Sequence, residues 1–247
     1  MAGIGLSTLL LAGVIIFGGH FVKGVSGFGS ALFAVPLLLL ILDIKIVTPT
    51  FLLFDLVSGV LLVASNWGSI NRRLLLLLLS GMVVGSGLGT WILVSFDHEI
   101  LKRILGVLVT AWALTMLLES QPEILTSRGT FGDALAPLSG FLGGTLGAMF
   151  SVNGPPIIIY LSHVLGDKQV FRATLYGVFF ADACYKFVLF TLGGLLDRNV
   201  FGLAALLAPF LVVGVAAGSW LQRFLDQAMF RKTVAAMLAV TGVLMLV

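Results

Sequence analysis

The stretch VSGFGSALFAVP, Val25 to Pro36, interrupts an apolar run that otherwise extends from Ile4 to Leu42. Three of its first five residues are Ser or Gly, and Lys23 stands just before it. A lipid-spanning helix gains nothing from a break beside a charge. Glycine weakens a helix and proline removes a backbone donor, so such a stretch unwinds. Unwound backbone at membrane depth is tolerated only where protein buries it or where it lines a wet cavity. The helix that resumes after the break presents free N–H groups and the positive end of its dipole, which favours an anion. The stretch therefore reads as part of a binding site, in a chain whose remaining sequence has to be membrane-embedded for the reading to hold.

Composition supplies that condition. Of 247 residues, 59% are hydrophobic and only 10% are charged, with mean hydropathy +1.15. A soluble domain covers itself with more polar side chains than this. Charges and turn residues divide the chain into about ten apolar segments, near 4–22, 27–42, 46–66, 74–96, 101–118, 133–150, 154–166, 173–194, 200–222 and 231–247, several of them close to the ~20 residues that cross the hydrocarbon layer. All are expected to be helical, because an open sheet leaves its backbone unsatisfied in lipid. The fold class is an all-α polytopic membrane protein. No Lys or Arg precedes Lys23, unlike the basic start of a secretory signal, so the first segment is expected to be retained. Cys184 is the only cysteine, which excludes an intrachain disulfide and a cysteine metal cluster. The net charge of +3 fits loop residues and not a nucleic-acid surface.

The two halves resemble each other. VGSGLGTWILVSFDHEILKR from Val84 and VGVAAGSWLQRFLDQAMFRK from Val213 align without a gap. Gly85, Gly89, Trp91 and Asp97 then meet Gly214, Gly218, Trp220 and Asp226, and Lys102-Arg103 meets Arg231-Lys232. Pro36 lines up with Pro156, and Asp43 and Asp167 follow the two short second segments. The polar stretch ESQPEILTSRGTFG joins the halves. The expected organisation is a first membrane repeat over 1–118, a connecting loop over 119–132 and a second repeat over 133–247. Five segments per repeat is an odd number, so the second repeat is expected to be inverted, with the Gly/Pro-broken helices where the repeats meet. Loop charges fall eight on one side (Arg72, Arg73, Arg128, Lys168, Arg172, Arg223, Arg231, Lys232) and four on the other (Lys45, Lys102, Arg103, Arg198). The positive-inside rule then places both termini outside the cytoplasm, whether the opening segment pairs are re-entrant or fully spanning.

The second repeat has its own break, SGFLGGTLGAMFSVNGPPIIIYL, from Ser139 to Leu161. Prolines near the start of a resumed helix, as Pro36 and Pro155-Pro156 are expected to be, cost it little. With these paired Gly-rich stretches ending in proline, the duplication, the length and the Gly-x-x-x-Gly helices, the chain resembles the sulfite exporter TauE/SafE family, also called the TSUP transporters. The resemblance covers essentially the whole chain. It departs from the pattern at SVNGPP, where a run of glycines is expected. It implies a secondary transporter that moves sulfite, organosulfonates or related small sulfur-containing anions by alternating access. It further implies export across a bacterial inner membrane, with no cofactor and no catalytic residue.

The substrate-binding candidates gather at the two breaks: Lys23, Ser26, Gly27, Gly29 and Ser30 at the first, and Ser151, Asn153 and Gly154 at the second. Lys23 either snorkels to the interface or lends positive charge to a cavity. The hydroxyls and the Asn153 amide either donate to sulfonate oxygens or satisfy unwound backbone. Asp182 and Lys186, in FFADACYKFVLF, lie four residues apart and so on one helix face. They are either a structural ion pair or a working one, in which Lys186 meets the substrate and Asp182 carries a coupling proton. Asp55, in FLLFDLVSG, is a second proton-coupling candidate that could also pair with Lys23 or Lys186. His20 and His163 are expected at interfaces near segment ends, and Cys184 as a small packing residue. The Trp residues are expected as interface anchors or packing groups.

A membrane enzyme would need a nucleophile with its base, paired acids or a metal cluster, and three scattered histidines with one cysteine offer none. A channel filter usually recurs around a ring and not as one inverted pair. The strongest rival is a transporter of a metal cation or a carboxylate, which Asp55 and Asp182 leave open. The partners implied are a small anion, membrane lipid and a coupling proton or sodium ion; substrate, direction and oligomeric state stay open at this level.

Overall fold

The computed structural model describes residues 5–26, 29–118, 132–221, 238 and 240–245. Among them every regular element is helical: α1 (Leu6–Ser26), α2 (Ser30–Leu38), α3 (Ile44–Asn66), α4 (Arg72–Ser95), α5 (His98–Leu118), α6 (Leu135–Phe150), α7 (Gly154–Val164), α8 (Lys168–Leu192) and α9 (Arg198–Leu221). A short 3-10 turn follows α3 at Trp67–Ser69, and residues 240–244 are helical again. Most of the expected connecting loop, Asp226 and the Arg231-Lys232 pair lie outside the described residues.

Among the described residues, five stretches are long and apolar enough to cross a membrane: Leu6–Val25, Ile44–Ser69, Arg72–Ser95, Lys168–Leu192 and Arg198–Leu221. They expose large apolar side chains such as Val14, Leu76, Leu192 and Val212, which suits lipid and not water. The second segment of each half, which the sequence leaves open between re-entrant and fully spanning, is short. α2 has nine residues and α7 eleven, or roughly 14 and 17 Å at ~1.5 Å per residue. Neither crosses a hydrocarbon layer of about 30 Å. Both fold back on the helix before them.

The chain divides into two compact units that interleave in sequence: residues 1–50, 96–121 and 197–247, and residues 51–95 and 122–196. In the second unit, α4 and α6 pack backbone to backbone. Gly81, Gly85 and Gly89 face the carbonyls of Pro137, Phe141 and Thr145, and Gly140 and Gly144 face those of Leu78 and Met82. A methyl at any of these would overlap the facing chain, so this is small-residue packing of the kind that drives helix association in lipid. α7 returns along α6, where Ser139 Oγ donates to the Pro156 carbonyl at 2.7 Å and Ile157 fills the space left by Gly143. Leu74, Leu78, Met82, Ile157, Leu161, Leu175 and Val178 close the core around these helices. Asp167 caps α8, accepting from the Gln169 and Val170 N–H groups at 2.8 Å.

The first unit repeats several of these relations. Gly214 and Gly218 on α9 face the Phe17 and Phe21 carbonyls on α1. α2 turns back so that Gly19 lies against Ala34 and Ser30. Asp43 accepts from the Lys45 N–H at 2.7 Å just before α3, as Asp167 does before α8. Thus Gly85 and Gly214, aligned in sequence, each meet a phenylalanine carbonyl. The aligned Trp91 and Trp220 are likewise both exposed, at 60% and 61%.

Two expectations need correcting. Pro36 is the seventh residue of α2 and not near its start, because Gly29, with φ 88°, turns the chain early and lets the helix begin at Ser30. α2 then ends two residues past the proline. His20 is buried against protein, 1% exposed, with Nδ1 2.9 Å from the Ile16 carbonyl and its Cβ beside Gly214. Gly214 provides the room. Cys184 is exposed on α8 and packs nothing away.

Candidate functional site

α6 ends where Ser151 adopts the left-handed conformation, φ 57°, with its N–H bonded to the Gly147 carbonyl at 2.9 Å. That conformation is uncommon for a residue other than glycine and turns the chain sharply. Val152 and Asn153 follow, both buried, and α7 opens at Gly154. Ser151, Asn153 and Gly154 therefore form the break expected of the second Gly/Pro stretch. Its donors differ from expectation. Pro155 and Pro156 occupy the first turn of α7, so two backbone N–H groups are missing from the helix start. The positive character at this break comes from side chains instead.

Lys186 supplies it. Its side chain is 2% exposed and that of Asp182 is 0% exposed; Nζ lies 2.9 Å from Asp182 Oδ2, one turn away on α8. Nζ also donates to the Gly147 carbonyl at the end of α6, 3.3 Å away. Asn153, although at the position that would cap α7, makes no side-chain cap. Its Nδ2 reaches Asp182 Oδ2 instead, at 3.4 Å. Asp182 Oδ1 accepts from Ser86 Oγ of α4 at 2.6 Å. A methyl on Gly147 would sit 2.8 Å from Asn153 Cβ and 3.4 Å from Lys186 Nζ, so glycine lets Asn153 and the ammonium pack closely against α6. One carboxylate thus faces three donors: a hydroxyl, an amide and an ammonium.

The structure brings together Asn153, Asp182 and Lys186 among the expected residues, with Ser151 and Gly154 flanking them. Asp55 lies half-buried on α3. Lys23 and Gly29 are half-buried and Ser30 is buried in the other unit. Ser26 is the last residue of α1, and Gly27 lies outside the described residues. α2 opens without proline, so its first turn keeps the Ala31 and Leu32 N–H groups whose counterparts Pro155 and Pro156 remove from α7. Ser86 and Gly147 were not among the candidates. Ser86 carried one signal: in the repeat alignment it stands opposite Val215, a hydroxyl where the other copy is apolar.

Bundled apolar helices, one short helix folded back at a Gly/Pro break and an ion pair buried beside that break define a membrane transporter. The family model of the sulfite exporter TauE/SafE matches residues 11–245, and the chain belongs to that family. It is a family of membrane transporters and not of enzymes. Comparison with curated proteins and with solved structures returned no match.

Proposed function

We propose that the chain is a secondary active transporter that exports sulfite, organosulfonates or related small sulfur oxyanions across the bacterial inner membrane by alternating access. The observation that carries this reading is the buried Lys186 ammonium at the α6–α7 break, held against the Gly147 carbonyl with the Asn153 amide on the same carboxylate. Sulfite and sulfonates both carry three oxygen acceptors pointing in different directions, which suits an ammonium and an amide held together. Lys186, Asn153, Ser151 and Gly154 bind substrate in this reading. Lys23, Ser26, Gly27, Gly29 and Ser30 serve the same role at the first break, and Asp55 and Asp182 are the proton-coupling groups.

The proposed organisation is two inverted repeats, 1–118 and 133–247, joined through 119–132, with both termini periplasmic. Support comes from the aligned glycine pairs that face helix carbonyls in each unit, and from the matching caps Asp43 and Asp167. Against a metal cation as cargo stands the donor set around Asp182: among the described residues, no three His, Cys, Asp or Glu side chains come together.

The test is uptake into liposomes by purified protein, comparing sulfite, a sulfonate, a carboxylate and a divalent cation with and without a pH gradient. Saturable movement of the sulfur anions, lost in Lys186→Ala and Asn153→Ala, is the expected result. Movement of the carboxylate or the cation without any sulfur anion would overturn the substrate assignment.

A further inference from the structure

We infer that Asp182 is the lock on the Lys186 site and the carrier of the coupling proton: a sulfonate takes the place of Asp182 beside Lys186 as Asp182 takes up a proton. This rests on the anion-transport reading above and specifies its coupling.

The charge balance of the pocket carries the inference. Asp182 and Lys186 are almost wholly withdrawn from solvent and neutralise each other across 2.9 Å. An anion arriving alone would leave two negative groups on one ammonium, and a proton arriving alone would leave that ammonium without its counter-ion. Either state holds an uncompensated buried charge, which is strongly unfavourable. Anion and proton together leave the pocket neutral: the ammonium keeps its three protons and turns to the sulfonate, and the carboxyl is uncharged. Each ligand therefore favours the other, and by linkage the effect is reciprocal.

The neighbours suit this exchange and not sodium. A sodium ion wants several oxygen acceptors, whereas both oxygens of Asp182 face donors, from Ser86, Asn153 and Lys186. Ser86 can keep its bond to Oδ1 throughout. When Lys186 leaves Oδ2, the new O–H can be taken by the carbonyl oxygen of the Asn153 amide, which carries an acceptor as well as donors. A second cation at position 153 could not do this.

Other titratable groups on the packed helices are few. α6 and the break contribute none, and α4 contributes Arg72 and Arg73 at its first turn, with Arg73 bonded to Asp133. α7 contributes Tyr160 and His163; the latter's Nδ1 lies 2.7 Å from the Ile159 carbonyl, one turn back. α3 contributes Asp55, with Lys45 in its first turn. On α8 itself, Tyr176, Cys184 and Tyr185 complete the set around the pair, with Lys168 and Arg172 near its start.

The experiment is calorimetric titration of the full chain in detergent with methanesulfonate, in buffers of differing ionisation heat at near-neutral pH. The sulfonate does not titrate there, so every proton counted belongs to the protein. The expected result is uptake of about one proton per sulfonate, with affinity falling about tenfold per unit rise in pH and unchanged when choline replaces sodium. Asp182→Asn should bind sulfonate with no proton uptake and no pH dependence. Sulfonate binding by the unaltered chain without proton uptake overturns the inference whether or not the variant folds, as does an Asp182→Asn protein that still takes up the proton. Absence of binding by both methanesulfonate and sulfite would overturn the substrate reading and this inference with it, whereas binding without protons leaves the substrate reading standing.

Discussion

Ser86 and Asp182, ninety-six residues apart in sequence, are joined by a 2.6 Å hydrogen bond between the middles of α4 and α8. Neither residue is more than 1% exposed. The bond ties the acid on α8 to α4, the helix that packs backbone to backbone on α6, while Lys186 bridges the same acid to the Gly147 carbonyl of α6. Removing it by Ser86→Ala leaves the carboxylate with one donor fewer in a dry site, which costs about 1–3 kcal/mol. We expect Ser86→Ala to lower stability in denaturant titrations of the solubilised protein by that amount. In an Asp182→Asn background the same substitution should cost less, because hydrogen bonds to a neutral acceptor are weaker. Strict additivity of the two substitutions would show that the bond does not couple them.

The ion pair itself should show a marked asymmetry. Breaking a buried pair by removing one partner costs about 3–5 kcal/mol, whereas replacing both with apolar groups of similar volume is often nearly neutral. Lys186→Met alone is therefore expected to destabilise the protein strongly. Lys186→Met combined with Asp182→Leu should recover most of the loss and still carry no anion. Stability of the double variant measured against each single variant decides this. A double variant less stable than Lys186→Met would mean that the charges organise the helices beyond neutralising each other.

Much of this site was legible in the sequence, for reasons that differ residue by residue. Asp182 and Lys186 are four apart in an otherwise apolar run, and helix geometry alone puts them on one face. Asn153 stands in a Gly/Pro break that has to unwind. Ser86 was hidden because its bond spans two helices, and no local period reports a tertiary contact. Its neighbours Gly85, Gly87 and Gly89 also make any small residue there look like packing. The donors of α7 were misjudged because prolines that suit a helix start also delete the N–H groups an anion would use. The length of α2 depended on one dihedral, that of Gly29, which composition does not specify. Helical class and membrane embedding, by contrast, follow from hydropathy summed over the chain.

The aligned glycines give a prediction that spans both units. Gly85 faces the Phe141 carbonyl and Gly214 the Phe17 carbonyl, each at the centre of a close helix pair. A Cβ at either position overlaps backbone, which cannot rotate away as a side-chain tip can. Gly85→Ala and Gly214→Ala should each force their helices apart and cost about 1–3 kcal/mol, the usual range for overpacking. Gly87→Ala is the control, since nothing lies within reach of an added methyl there. It should be neutral or slightly stabilising, because alanine is the better helix former. Melting temperatures of the three solubilised variants provide the test, and a destabilised Gly87→Ala with an unaffected Gly85→Ala would contradict the packing described.

Asp197 offers a pH test outside the spans. Its Oδ1 accepts the Val200 N–H at 2.8 Å, and its Oδ2 takes an Asn199 amide proton at 2.8 Å, capping the first turn of α9. The backbone bond from Val200 is the main cause that holds its carboxyl below the ordinary value of 3.8. A carboxyl lowered on folding stabilises the folded state above its unfolded value, and that contribution fades as pH falls through the folded value. The cap should therefore be fully present at neutral pH and be lost only below about pH 4. Asp197→Ala is expected to fray the start of α9 at neutral pH, at the low end of the ~0.5–2 kcal/mol range because the site is exposed. Asp197→Asn keeps a capping side chain and should behave like the unaltered chain at neutral pH, while losing less stability between pH 5 and pH 3, a window set by ordinary carboxylate titration of about 4. Hydrogen exchange at the amides of Val200 and Phe201, followed across that pH range, reads the cap directly. Equal acid sensitivity in the Asp197→Asn and unaltered chains would assign the acid response to other carboxyls.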